Sequence, residues 1–269
     1  MLNPRLVETI SKAKLKQLRA LTSRKGREEE GLFIGEGPYL LDEALKAGIL
    51  PRFVVVSERA DGPREKVQSL IGACRRVAVE CFSASEAEFA ECADTVNSQG
   101  ILAVFAIPTY ELAPLLERHE VTLLVLDNIR EPGNLGAILR HAAAFDCAGL
   151  LLLKGCVDAW NNKAVRASMG GVFHVPVFAD LTPEEAMQQL TNSGVWPYVA
   201  ARGGKSAFEI SYPPKTAFII GGETEGVQPF WNERDVIKLG LPQTDKVESC
   251  NAAVAASILL AYRFQSRRG

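Results

Sequence analysis

The strongest constraint in this 269-residue chain is a repeated alternation of short aliphatic, often β-branched runs with segments of helical spacing. In the second half, Val121–Leu126, apolar but for Thr122, and Gly149–Leu153 read as strands buried on both faces. Further strand candidates there are Phe173–Phe178, Trp196–Ala201, Ala217–Ile220 and Val236–Leu241. A helix is expected from Leu135 to about Phe145 with Asn134 as its N-cap, and a small-residue helix over Asn251–Phe264. The pattern selects an α/β fold with a largely parallel sheet in this half.

The first half alternates too. An opening helix carries Ile10, Leu15, Leu18 and Leu21; Leu32–Glu36, Phe53–Ser57, Arg76–Cys81 and Ile101–Ile107 read as strands. Helices are expected over Tyr39–Ala47, from Pro63 to Ile71, and from a capping-box pair at Ser83 and Glu86 to about Cys92. The prolines Pro108 and Pro114 interrupt the alternation, so the expected organisation is a small α/β domain over residues 1–107, a linker over 108–120 and a second domain over 121–269.

Several functional classes are excluded at this point. With 47% hydrophobic and 23% charged residues, the chain can bury a core and is not a disordered polymer. No apolar run approaches the roughly 18 residues of a membrane span, and Met1–Arg5 lacks a signal-peptide stretch, so no membrane partner and a cytoplasmic location are expected. The six cysteines are scattered without a C-x-x-C pair and the three histidines are dispersed, so no metal is expected. The net charge of −2 hides an asymmetry: residues 1–27 carry eight basic side chains against Glu8 alone. Such a block suits a polyanion, and equally a solvated helix face.

In parallel α/β sheets, ligands gather beyond the C-terminal ends of strands. Three loops in that position carry polar residues and glycines. Asp127–Arg140 contains Gly133, Asn134, Gly136 and Arg140; a guanidinium near backbone donors would suit a phosphate, although a capped helix with a surface arginine has the same sequence. Gly221-Gly222-Glu223 follows a strand, where glycine admits close backbone approach and Glu223 could accept from a hydroxyl or balance a cation. Ser249 and Asn251 stand at a helix N-terminus, where plain capping is the alternative. Gly203-Gly204-Lys205-Ser206 imitates part of a phosphate loop, but its first glycine would fall on Val199.

Taken together, these loops resemble the three motifs of the SpoU (TrmH-type) RNA ribose 2′-O-methyltransferases of the SPOUT superfamily. Asn134-x-Gly136-x-x-x-Arg140 is similar to the first, Gly221-x-Glu223-x-x-Gly226 to the second, and Leu241-Pro242 with Ser249-Cys250-Asn251 to the third. Phe33–Gly37 and Leu41–Leu45 resemble the RNA-binding domain, akin to ribosomal protein L30e, that many members carry. The resemblance implies a homodimeric enzyme using S-adenosylmethionine, with a trefoil-knotted catalytic domain and no metal. It implies cofactor contacts at Gly221, Leu241 and Cys250, a catalytic Arg140, and an active site completed by Asn134, Glu223, Ser249 and Asn251. Cys250 stands where leucine is usual and Gln243 where methionine is common, which puts cofactor affinity in question.

For Arg140, the expected role is a permanent cation that stabilises the developing alkoxide, because turning a guanidinium into a base near neutrality costs roughly 8 kcal/mol. RNA docking is expected through Lys14, Lys16, Arg19, Arg24, Lys25 and Arg27. Ribosomal RNA is favoured over transfer RNA because the N-terminal domain resembles that of ribosomal enzymes. Two other readings are a catalytically silent RNA-binding assembly factor of the same fold and a nucleotide-dependent enzyme on an ordinary doubly wound sheet.

Overall fold

The computed structural model describes residues 7–58, 64–95, 98–234, 236–246 and 248–268. The N-terminal pentapeptide Met1–Arg5 and the expected helix start at Pro63 lie outside them.

Residues up to Pro108 together with Trp160–Phe173 form one compact unit; Thr109–Ala159 and the chain from His174 form the other. In chain order the first unit contains β1 (Glu8–Thr9), α1 (Lys12–Ala20), α2 (Arg24–Glu30), β2 (Leu32–Glu36), α3 (Pro38–Lys46), β3 (Phe53–Ser57), α4 (Arg64–Arg76), β4 (Glu80–Ala84), α5 (Glu86–Ala90) and β5 (Ile101–Ala106). Then follow α6 (Leu112–Leu116), β6 (Val121–Asp127), α7 (Pro132–Ala144), β7 (Gly149–Leu153), α8 (Asn162–Ala167), β8 (Val177–Leu181), α9 (Pro183–Asn192), β9 (Trp196–Ser206), β10 (Lys215–Gly221), α10 (Pro229–Asn232), β11 (Ile237–Gly240) and α11 (Ala252–Ser266).

The first sheet is mixed, in the order β1-β4-β3-β5-β2, with β5 antiparallel to both β3 and β2. Its fourth strand begins at Glu80 rather than Arg76, because α4 runs on through Arg76. The capping box is formed by Ser85 and Glu88, not Ser83 and Glu86; Ser83 is occupied in β4. Ser23 accepts from Gly26 N and opens α2, a helix absent from the sequence expectation.

Residues 160–173, expected in the second domain, pack with the first. Trp160 lies 4.9 Å from Phe33 and Phe173 5.0 Å from Phe105 by ring centroids, and Arg166 donates to Asp94 at 2.7 Å. The strand expected over Phe173–Phe178 starts only at Val177, since Gly171–Phe173 is a 3₁₀ turn. The stretch expected as a linker contributes α6, whose Leu115 and Leu116 are buried in the second core.

The second sheet is parallel at every pairing, in the order β11-β9-β10-β6-β7-β8. Period-two alternation sends Leu123, Val125, Leu151, Val199, Ala217 and Ile219 to a core shared with α6, α9 and α10. Leu124, Leu126, Phe218 and Ile220 are equally buried and face the other way, where α11 packs on β6, β10 and α7. Burial on both faces explains the continuous aliphatic runs.

Gly203–Ser206 is no phosphate loop. It is the end of β9, with Lys205 and Ser206 registered against Leu239 and Gly240. A Cβ on Gly204 would sit 2.6 Å from Lys238 backbone, so glycine is required by strand approach.

Candidate active site

Strand order decides where the three loops meet. β6 and β10 are adjacent and parallel, with Gly221 in register with Asp127, so the loops leaving them emerge side by side. β11 lies beyond β9 on the same parallel sheet, and its loop leads into α11, which packs against α7.

Asn134 lies within the first turn of α7, whose N-cap is Glu131, so it is not the cap expected from the sequence. Its side chain is thereby left to work across the loops: Asn134 Nδ2 donates to Glu223 Oε1 at 2.8 Å. Asn251 is the N-cap of α11, its Oδ1 accepting from Ala253 N at 2.9 Å and Val254 N at 3.3 Å. Those bonds orient its amide, and Nδ2 donates to Asn134 Oδ1 at 3.0 Å and to Glu223 Oε1. Three residues from three separate motifs thus form one hydrogen-bonded cluster around a carboxylate. Both Asn donors go to the same oxygen, which leaves Oε2 for another donor.

Beside this cluster is a cavity of about 350 Å³, inside the roughly 300–1,000 Å³ range of small-molecule sites. Gly221, Leu241, Ser249 and Cys250 line it, together with Glu223, Glu225, Arg202 and Gln243. All three expected cofactor positions therefore share one cavity. Glycine is required where the loops meet: a Cβ on Gly221 would lie 2.4 Å from Gly226 C, and one on Gly222 2.3 Å from Asn128 O. The loops approach as closely as glycine permits. A smaller cavity of about 130 Å³ adjoins it, lined by Asn128, Arg130, Asn134, Glu223 and Glu225 among others.

Several residues that hold this arrangement carried no motif. Asp127 is fully buried at the end of β6 and accepts from Gln228 N at 2.7 Å and Gln228 Nε2 at 2.8 Å. These bonds pin the far end of the glycine loop. Arg130 pairs with Glu225 through two bonds of 2.8 Å, tying the first loop to the second. The only signal for Asp127 was an acid closing a largely apolar strand. The two departures from the resembled pattern contact one another: Cys250 Sγ donates to Gln243 Oε1 at 3.2 Å, and Gln243 Nε2 to Glu248 O at 3.3 Å.

Arg140 is not in the cluster. It is exposed on α7, and among the described residues no hydrogen bond or ion pair joins it to Asn134, Glu223 or Asn251. Six residues along a helix turn it well away from Asn134. Among the described residues no group of three or more His, Cys, Asp or Glu side chains could hold a metal ion.

The basic block looks different once folded. Lys14 pairs with Glu80 at 2.7 Å, Arg19 with Glu91, Arg24 with Glu28 at 2.6 Å, and Lys25 approaches Glu29 at 3.7 Å. Arg27 is 3% exposed and donates to Leu21 O at 2.8 Å, so it braces the α1–α2 turn and is not displayed to a docking partner. Lys16 is exposed, with no ion pair among the described residues.

Comparison with known proteins agrees with this geometry. The sequence profile described as the SpoU rRNA Methylase family matches residues 122–261, and that of the MRM3-like substrate binding domain matches residues 12–103. The chain is 30% identical to the 23S rRNA (guanosine(2553)-2′-O)-methyltransferase RlmP of Bacillus subtilis (strain 168), over 94% of this chain and 97% of that one. It is 31% identical to the mitochondrial rRNA methyltransferase 3 of Mus musculus, over 91% of this chain and 69% of the relative. The crystal structure of an AdoMet-bound rRNA methyltransferase from Sinorhizobium meliloti superposes with a TM-score of 0.81 at 25% identity, covering 97% of each chain. With one residue from each of its three motifs joined in a single hydrogen-bonded cluster and an N-terminal segment matching a substrate-binding domain, this chain belongs to the SpoU rRNA methylase family.

Proposed function

We propose that this protein transfers a methyl group from S-adenosylmethionine to a ribose 2′-hydroxyl of ribosomal RNA. The observation that carries the reading is the convergence of Asn134, Glu223 and Asn251 beside the cavity lined by Gly221, Leu241 and Cys250. The relatives named as rRNA methyltransferases favour ribosomal over transfer RNA as substrate.

The cofactor supplies a methyl group already activated by its sulfonium, so the chain's task is positioning and control of charge. Gly221, Leu241 and Cys250 would hold the cofactor, with Ser249 at the cavity edge. Glu223, oriented by the two asparagines, would accept from a sugar hydroxyl through Oε2. Arg140 would supply the cation that stabilises the developing alkoxide. Its exposed place on α7 supports a homodimer, in which a second copy completes the site. Sedimentation would then show twice the monomer mass at micromolar concentration. The strand order, with β9 and β10 inserted between β11 and β6, accords with the trefoil knot implied by the family resemblance. Six free thiols suit a reducing compartment such as the cytoplasm.

The test is incubation with labelled cofactor and ribosomal RNA lacking the modification, followed by mapping of ribose methylation. Label at a single 2′-oxygen is expected; cofactor binding without transfer to any RNA would favour the silent assembly factor.

Docking of RNA is assigned to the exposed cations of α1 and α2. Combined Lys16→Ala, Arg24→Ala and Lys25→Ala should weaken binding and flatten the log–log salt slope by roughly 0.7–0.9 per phosphate contact removed, depending on strandedness. An unchanged slope in filter binding dismisses the assignment. Arg27→Ala should instead lower the melting temperature, because it leaves Leu21 O without its buried donor.

A further inference from the structure

One charged side chain of the large cavity is used neither by the three motifs nor by the asparagine–glutamate cluster. Arg202 lies on β9, between β10 and β11 in the sheet, and lines the cavity opposite no other cation: among the described lining residues it is the single basic one, against Glu223 and Glu225. Its Nη2 donates to Asp245 Oδ1 at 3.1 Å, in the segment between β11 and α11. That bond reaches from one wall of the cavity to the chain that forms the other.

The pair is not a stability device. Arg202 is 52% and Asp245 99% exposed, so water and salt screen their attraction. Exchanging Asp245 for another carboxylate therefore costs little. The ligand of this cavity brings such a group. S-adenosylmethionine carries one α-carboxylate, one α-ammonium and one sulfonium, a net charge of one positive. Of the two lining carboxylates Glu225 is already paired with Arg130, and Arg202 is the single cation among the described lining residues that can meet the α-carboxylate. A planar guanidinium fork also matches a carboxylate in a way that a point cation does not.

We propose that Arg202 is a cofactor-recognition residue, which leaves Asp245 and takes the α-carboxylate of the methionine moiety. The assignment rests on the cofactor reading above.

Calorimetry of the full chain with S-adenosylmethionine and with its decarboxylated analogue tests it. Wild type should prefer the carboxylate-bearing ligand by about tenfold or more, the worth of one charge-assisted contact. Arg202→Met keeps the apolar stem and removes the charge; it should lose about tenfold for S-adenosylmethionine and leave the analogue within about twofold. Arg202→Lys should fall between them. Asp245→Ala should bind the cofactor at least as tightly as wild type. Equal weakening of both ligands by Arg202→Met, with an unchanged melting temperature, would make Arg202 a wall residue and overturn the proposal. So would wild-type affinity in Arg202→Met, or weaker binding in Asp245→Ala. Wild-type protein that binds neither ligand would instead overturn the cofactor reading itself.

Discussion

Glu223→Gln is expected to lower the single-turnover methylation rate by about a hundredfold, close to 2.7 kcal/mol of transition-state stabilisation, while cofactor affinity changes only a few-fold. The geometry explains the separation. Glu223 Oε1 already takes the amide protons of Asn134 and Asn251, and the orientation of Asn251 is held by its cap bonds to Ala253 and Val254. A glutamine must keep its oxygen toward those two donors, which turns its amide NH₂ toward the reacting hydroxyl. An acceptor becomes a donor at the one free position. The exchange is isosteric, so the shape of the adjoining cavity and with it cofactor affinity should be affected less. Asn251→Asp probes the same point from the other side, keeping the helix cap but setting a second carboxylate against Glu223; it should be at least as inactive with α11 intact. Quench-flow with labelled cofactor and calorimetry on the same samples check both. A Glu223→Gln protein with wild-type turnover would remove Glu223 from the chemistry.

Gly222→Ala should weaken cofactor binding by about a hundredfold or more and destabilise the chain by roughly 1–3 kcal/mol, as overpacking does. Its Cβ would lie 2.3 Å from Asn128 O, a distance no side chain keeps, so one loop has to move. The loop has little freedom to do so. Gln228 is anchored to buried Asp127, and Glu225 to Arg130. The displacement would therefore fall on the cavity wall between Gly221 and Gly226. Gly226→Ala is the control: its φ of +66° strains a side chain, but nothing lies within 4 Å of the added carbon. It should cost about 1 kcal/mol of stability and leave more affinity than Gly222→Ala. Thermal melts and cofactor titration of the two variants decide; equal affinity in both would mean the close approach of the loops does not shape the site.

The elements were legible where the pattern is local. Leu32–Glu36, Phe53–Ser57 and Gly149–Leu153 have the same limits in sequence and structure, because a buried strand reads as a nearly continuous apolar run over its own length. Boundaries failed where two local signals competed. Arg76–Cys81 reads as a strand, yet the helix before it continues to Arg76; two serines two residues apart both offer a capping box, and only Ser85 lies beyond the ladder of β4. The basic block is partly neutralised by neighbours that a charge count does not pair with it. Glu28, Glu29 and Glu30 follow directly, and helical spacing of four places Arg24 and Lys25 beside Glu28 and Glu29.

From its order of residues alone this protein is an α/β chain with three strand-terminal motifs of a methyltransferase family, since strand length, glycine placement and motif spacing are written along the chain. Which side chains share a cavity is not. Asn134, Glu223 and Asn251 are brought together because β6 and β10 are neighbours and α11 packs on α7. Likewise, only folding reveals that Arg27 is buried, that Asp127 holds Gln228, and that residues 160–173 pack with the first unit. Burial and pairing depend on strand order and helix packing, and those connect positions whose separation in sequence carries no periodic trace.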